Sequence, residues 1–125
     1  MSTPCPFCTL AEDRILASNE LAIATPDGFP VSPGHTLIIP KRHVADWFSL
    51  TQAELLACNE LLHEVRAHLL DEDPSIDGFN IGANVGEVAG QTVFHCHIHL
   101  IPRRAGDVPE PRGGIRHVIP GKGSY

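Results

Sequence analysis

The sequence predicts an α+β domain in which one long helix packs on a β-sheet. Three observations predict it: short β-prone runs bounded by Pro and Gly, one amphipathic segment opened by a helix-capping pattern, and a stretch in which histidines alternate with apolar residues. Several strands with a single helix set among them imply a helix covering one sheet face. With 125 residues, a hydrophobic fraction of 42% and a charged fraction of 19%, the chain suits one domain with one core, residues 1–125.

Residues 20–25, Glu-Leu-Ala-Ile-Ala-Thr, read as a short strand. Pro26, Gly28, Pro30, Pro33 and Gly34 then break regular structure. His35-Thr36-Leu37-Ile38-Ile39 is a second strand, stopped by Pro40. Thr51 and Glu54 form the capping box T-x-x-E that opens the helix. Leu55, Cys58, Leu62, Val65 and Leu69 follow at spacings of three and four, which gives one apolar stripe. His63 and His68 fall off that stripe and face solvent. Asp71-Glu72-Asp73-Pro74 ends the helix, because carboxylates there oppose its dipole and the proline cannot continue it. Phe79 to Asn84 reads as a third strand, and a Gly-rich turn from Gly86 to Gly90 leads to the histidine strand, predicting an antiparallel hairpin. Pro102 ends that strand. The tail from about residue 103 is Gly- and Pro-rich and reads as irregular, with Ile115, Val118 and Ile119 expected to dock elsewhere, on a partner subunit for instance.

Composition excludes some functions. The formal net charge is -6, which argues against sequence-independent binding to a nucleic-acid backbone. The basic pairs Lys41-Arg42 and Arg103-Arg104 could still face a small anion or stand as solvated loop residues. No apolar run is long enough to span a bilayer, so no membrane association is expected. Met1-Ser2-Thr3-Pro4-Cys5 lacks the charged and apolar segments of a secretory leader, which predicts a cytoplasmic protein. In that compartment the four cysteines are thiols rather than disulfides, and Cys58 and Cys96 read as small buried hydrophobes.

The stretch His95-Cys96-His97-Ile98-His99 carries the chemistry. Side chains alternate faces along a strand, so the three imidazoles would share one face, with Phe94, Cys96, Ile98 and Leu100 in an apolar row on the other. Packing does not ask for three titratable rings in a row. Such a set can chelate a stored metal, form a catalytic zinc site with an open position, or supply a nucleophile that attacks phosphorus and forms a phosphoramidate. A nucleophilic site also needs donors for the phosphate oxygens and the leaving group, which neighbouring histidines, Asn84 and Gly90-Gln91-Thr92 could provide.

The segment from Gly90 to Arg103 resembles the signature of the histidine triad (HIT) family, His-φ-His-φ-His-φ-φ with φ apolar. The upstream segment from Val31 to His43 resembles that family's second block. By length and spacing the chain resembles the bacterial type of HIT hydrolase. The resemblance implies an antiparallel sheet of about five strands with one long helix, a homodimer, and action at the α-phosphorus of nucleotides. It makes His97 the nucleophile that becomes nucleotidylated, His99 the ring beside the α-phosphate and leaving group, and His35 their supporting histidine. It assigns phosphate and leaving-group contacts to Asn84, Gln91 and Thr92 and the ribose hydroxyls to Asp27. Phe7, Leu10 and Ile23 would line the base pocket.

Gly90-Gln91-Thr92, with Pro102-Arg103-Arg104-Ala105-Gly106-Asp107, looks like the dinucleoside-polyphosphate branch, in which Arg103 and Arg104 would meet extra phosphates. The same first step serves nucleoside phosphoramidate hydrolases and phosphorylases. A regulatory protein that only binds nucleotide or metal is the rival from another class. Nucleotidyltransferases of the superfamily carry Gln at the third triad position, where this chain has His99.

Cys5-Pro6-Phe7-Cys8 is a CxxC pair. No strand precedes it, which argues against a thioredoxin-like redox motif. The resemblance to zinc-binding HIT proteins groups Cys5 and Cys8 with His43 and His95 as a closed, structural zinc site, separate from the chemistry.

Overall fold

Ala17–Ser18 (β1), Ala22–Pro26 (β2), Thr36–Pro40 (β3), Ile76–Gly82 (β4) and Ile98–Arg104 (β5) form one antiparallel sheet, and Gln52–Glu72 (α1) is the long helix. The structure is a computed structural model that describes residues 4–125. Met1, Ser2 and Thr3, part of the stretch read as lacking a leader, lie outside the described residues. Strand order is β1-β2-β3-β5-β4, so the histidine-bearing strand is interior and β4 is an edge. Among the described residues no helix is long and apolar enough to cross a membrane.

One sheet face packs on α1. Ala22, Ala24, Ile38, Ile98 and Leu100 from the sheet meet Ala57, Cys58, Leu61 and Val65 from the helix. Full burial of a side chain such as Leu61 contributes about 1.5–3 kcal/mol. The opposite face carries a smaller cluster, Ile23, Leu37 and Ile39, covered by Phe7, Leu10 and Ile15 of the N-terminal arm.

The capping box is present as predicted: Thr51 Oγ1 accepts from the Glu54 N–H, and Glu54 Oε1 accepts from the Thr51 N–H. The buried stripe differs from the prediction. Leu55 is 38% exposed, and Leu62 and Leu69 are only partly buried, while Ala57 and Leu61 are inside. The buried line includes Glu54, a charged residue that a search for apolar spacing passes over; its carboxylate receives Arg42 at 2.7 Å. Leu55 and Leu56 instead face outward beside Trp47.

Three prolines lie inside strands where breaks were predicted. Pro26 pairs with Thr36, Pro40 with Ala22 and Pro102 with Phe79. Within an antiparallel strand a residue's N–H and C=O point to the same side. The Pro102 carbonyl accepts from the Ser32 hydroxyl beyond the end of the β3–β5 pairing, so the missing N–H is lost from no ladder. Accordingly β5 runs on to Arg104 before the tail begins. The tail is not wholly irregular, since Gly114–Val118 is a 3-10 turn. Ile115, Val118 and Ile119 are exposed on it rather than docked within the chain.

The predicted hairpin pairing holds, with β4 antiparallel to β5 from Gly82↔His99 outward. The histidine strand begins later than its alternation suggests. Only His99 of the three histidines lies in β5; His95 and His97 precede it. The Cys96 N–H donates to Val44 O at 2.7 Å instead of to a neighbouring strand. Cys96, Ile98 and Leu100 are buried as expected, but Phe94 is 49% exposed because the chain bends before it can join that row.

Candidate active site and adjoining metal centre

The sheet face away from α1 bears a cavity of about 480 Å³. His99 on β5, Leu37 on β3 and Thr25 on β2 are successive register partners and make its floor. His97 stands at one end, Phe7 and Leu10 close it from the N-terminal arm, and Asn84, Gly90 and Thr92 approach from the β4–β5 connection. Gly90 ends a 3-10 turn at φ 98°, a left-handed conformation that suits glycine and turns the loop back over the site.

Hydrogen bonds define which nitrogen faces the cavity. His97 Nδ1 lies 2.8 Å from the His95 carbonyl, which can only accept. The proton therefore resides on Nδ1, and a neutral His97 keeps its lone pair on Nε2. His35 reads similarly. Its Nδ1 accepts from the Val31 N–H at 3.2 Å, so its own proton is on Nε2, 2.9 Å from His99 Nδ1. His99 accepts there and carries its proton on Nε2. The two triad rings at the cavity thus present opposite characters, a lone pair from His97 and an N–H from His99, with centroids 5.4 Å apart.

Burial favours the neutral forms of His35 and His99. Burial lowers the pKa of His35, opposed by the charge of Asp27. Burial, then the neighbouring His97 and His35 rings, lowers that of His99. Asp27 Oδ2 lies 3.3 Å from His35 Nε2, while its Oδ1 accepts from the Phe29 N–H and fixes the turn. Asp27 is thus both a turn residue and a wall of the cavity.

Behind His97 lies a second cluster. Cys5, Cys8, His43 and His95 bring four ligand atoms within 4.8 Å of one another. Cys5 Sγ is 3.4 Å and Cys8 Sγ 3.5 Å from His95 Nδ1, and Cys8 Sγ is 3.2 Å from His43 Nδ1. His95 donates its Nε2–H to Pro40 O at 2.7 Å, which leaves Nδ1 free as a donor to a metal. Two sulfurs and two imidazole nitrogens form a donor set suited to a metal ion, and these residues could hold one.

A model of the HIT domain matches residues 9–106. The chain belongs to the HIT family. It is 41% identical over 107 residues to an uncharacterized HIT-like protein of Mycoplasma genitalium, covering 82% of this chain and 74% of the relative. Among solved structures it is similar to a hypothetical histidine triad nucleotide-binding protein from Sulfolobus tokodaii, with TM-score 0.75, 33% identity, and coverage of 85% of this chain and 73% of that one. It is also similar to a Zn-bound histidine triad family protein from Mycobacterium smegmatis, with TM-score 0.73, 32% identity, and coverage of 82% and 77%.

In this HIT chain most of the residues named from sequence converge on the cavity: His97, His99, Asp27, Asn84, Thr92, Phe7 and Leu10 all line it, and His35 stands directly behind His99. Two do not line it. Ile23 is buried beneath Phe7 and Leu10 in the supporting cluster. Gln91 is buried with its amide occupied, accepting from the Gly86 N–H and donating to Ala45 O and Val93 O, so it braces the loop. The arginines expected to meet extra phosphates are likewise engaged elsewhere. Arg103 holds Asp107 and Asn80, and Arg104 holds Asp73, Ser32 and the Pro33 carbonyl. Arg14, Phe29 and Leu37 line the cavity without having been singled out. Leu37 was legible, since it lies two residues from His35 and shares its strand face; Arg14 carries no local signal.

Proposed function

We propose that this HIT protein is a nucleotide hydrolase acting at the α-phosphorus of a nucleoside phosphate derivative through a covalent nucleotidyl-His97 intermediate. The observation that carries this reading is the pairing of tautomers: His97 offers an Nε2 lone pair, and His99 beside it offers an Nε2–H. His97 Nε2 forms a bond to phosphorus as the bond to the leaving oxygen breaks, and the His99 N–H stabilises that oxygen as charge builds on it. The His95 carbonyl, holding Nδ1–H, stabilises the imidazolium that His97 becomes. Water then attacks phosphorus, the phosphorus–nitrogen bond breaks, and nucleoside monophosphate leaves. Asn84 and Thr92, which line the cavity, would donate to phosphate oxygens, and Asp27 would meet the ribose.

Within this class the proposed substrate is a dinucleoside polyphosphate, supported by the resemblance of Gly90-Gln91-Thr92 alone, since Arg103 and Arg104 are paired elsewhere. A panel containing dinucleoside polyphosphates and a nucleoside phosphoramidate, assayed with and without inorganic phosphate, identifies the leaving group and separates hydrolysis from phosphorolysis. His97→Asn is expected to lower turnover at least ~10³-fold with folding retained, and to abolish a trappable adduct. Turnover near wild type in that variant removes His97 from the mechanism; nucleotide binding without turnover in the wild type makes this a binding protein.

The same reading assigns Zn²⁺ to Cys5, Cys8, His43 and His95. The ion would tie the N-terminal arm to the segment bearing His97, and supplies no step. Metal analysis should find one zinc per chain in the wild type and little in a Cys5→Ser/Cys8→Ser variant; metal-free wild-type protein counts against it. The protein is proposed to act as a homodimer in the cytoplasm, where its thiols remain reduced.

A further inference from the structure

We propose that Arg14 is the base-reading residue of this site and selects guanine over adenine nucleotides; this rests on the nucleotide reading above. Arg14 closes the 3-10 turn Glu12–Arg14, and its position is held from two sides. Its carbonyl accepts from Thr25 Oγ1 at 2.6 Å, and its Nη2 donates to Pro26 O at 2.9 Å. The side chain is thereby anchored to the end of β2, next to Asp27, and lines the cavity.

Its place along the cavity matters more than its proximity. The phosphate end is defined by His97 and His99. His99 registers with Leu37, and Leu37 with Thr25, so Thr25 lies two strand spacings from His99, about 10 Å. The Arg14 carbonyl caps Thr25 there, and its guanidinium sits at Pro26 O, one residue farther along the same strand. A nucleoside monophosphate, extended from phosphorus to the distal edge of its base, covers a similar distance. Between the two ends Phe7, Leu10 and Leu37 supply apolar surface for the faces of a ring.

Arg14 is the only lysine or arginine among the described residues lining this cavity. Arg42, Arg103 and Arg104 each hold a carboxylate, whereas Arg14 is joined to none among the described residues. One of its five N–H donors serves Pro26 O, and the rest of the guanidinium fork remains available. Such a fork matches the adjacent O6 and N7 acceptors of guanine. Adenine offers N7 but opposes the fork with an N6 donor.

The test is calorimetric titration of GMP and AMP into wild-type, Arg14→Ala and Arg14→Lys proteins, with kcat and KM measured on matched guanine and adenine dinucleoside polyphosphates. Wild-type protein should bind GMP about tenfold or more tighter than AMP. Arg14→Ala should bring GMP to the AMP level while changing AMP affinity little, and the loss should fall on KM. Arg14→Lys, lacking the fork, should not restore the preference. Nucleotides that bind without discrimination in the wild type overturn the role of Arg14 and leave the hydrolase reading standing. So does an Arg14→Ala variant that weakens both nucleotides equally, or lowers only the melting temperature. Failure of either nucleotide to bind, with no turnover, overturns both readings.

Discussion

A proton's position on an imidazole decides whether that ring can attack or donate, and in this chain backbone groups set it. His97 is held by a carbonyl and His35 by an N–H, and His35 in turn orients His99. Removing His35 leaves His99 Nδ1 without its donor and frees the ring to exchange tautomers. His35→Ala is therefore expected to lower kcat about 10- to 100-fold, with a smaller change in nucleotide affinity. A variant that keeps wild-type kcat shows that His99 needs no such support. Burial also depresses the pKa of both His35 and His99, so the unfolded chain takes up protons there before the folded one does. Their contribution to stability is full above about pH 6.5 and is lost as pH falls below it.

At the scale of elements, α1 is joined to the segment after β3 by an ion pair between the buried Glu54 and the exposed Arg42. Arg42 reaches Glu54 with two N–H groups, at 2.7 and 2.9 Å, and also the Ser49 carbonyl. Glu54 completes the capping box as well, so one carboxylate organises the helix start and the loop that carries His43. The Arg42 hydrogen bond, followed by that from the Thr51 N–H, overcomes burial and brings the Glu54 pKa down to about 2. A carboxylate depressed in this way stabilises the fold above its ordinary pKa, and the contribution is lost as pH falls toward 2. Glu54→Gln should cost about 1–3 kcal/mol near neutrality, because Arg42 loses its charged partner. The gap in melting temperature between wild type and variant should shrink on acidification to pH 3; a gap independent of pH shows that the charge of Glu54 is not what matters. Apolar spacing marks Cys58 and Val65 correctly, but the buried line runs through Glu54, Ala57 and Leu61 rather than Leu55 and Leu62, and Glu54 carries no apolar signal.

At the scale of the molecule, the sheet has two unlike faces, one closed by α1 and the other holding the cavity, and its edges are the two-residue β1 and the longer β4. Among the described residues β4 has no neighbour on its outer side. Near that edge Trp47, Phe48 and Ile81 line one apolar hollow, and Trp47, Leu55 and Leu56 an adjacent one. Leu56 is 64% and Phe48 81% exposed in the single chain. An unpaired strand beside apolar surface is suited to antiparallel pairing with a second copy about a two-fold axis. If the chain dimerises as proposed, Leu56→Asp should shift it toward monomer in sedimentation velocity; a wild type that sediments as a monomer overturns the proposed assembly.

How much was legible depended on the range of the interaction. The capping box, the β-prone runs, the order of the elements and the HIT pattern are local, and they were readable because periodicity and turn chemistry are written within a few residues. The clustering of Cys5 and Cys8 with His43 and His95 was legible only through family resemblance, since it joins segments far apart in the chain. Contacts made only once the chain has folded decided the rest. The alternation of histidines suggested one continuous strand, yet His95 is drawn toward the cysteines and Pro40 O, and β5 begins only at Ile98. Arg103 and Arg104 looked free for phosphates until Asp107 and Asp73 were brought beside them. Gln91 looked like a ligand until the loop folded around its amide. The sequence alone determined which side chains could do chemistry and the order in which they occur. The tertiary structure decided which of them are already engaged, which tautomers the rest hold, and that Arg14 stands at the far end of the cavity. Those outcomes depend on hydrogen-bond partners that no local pattern specifies.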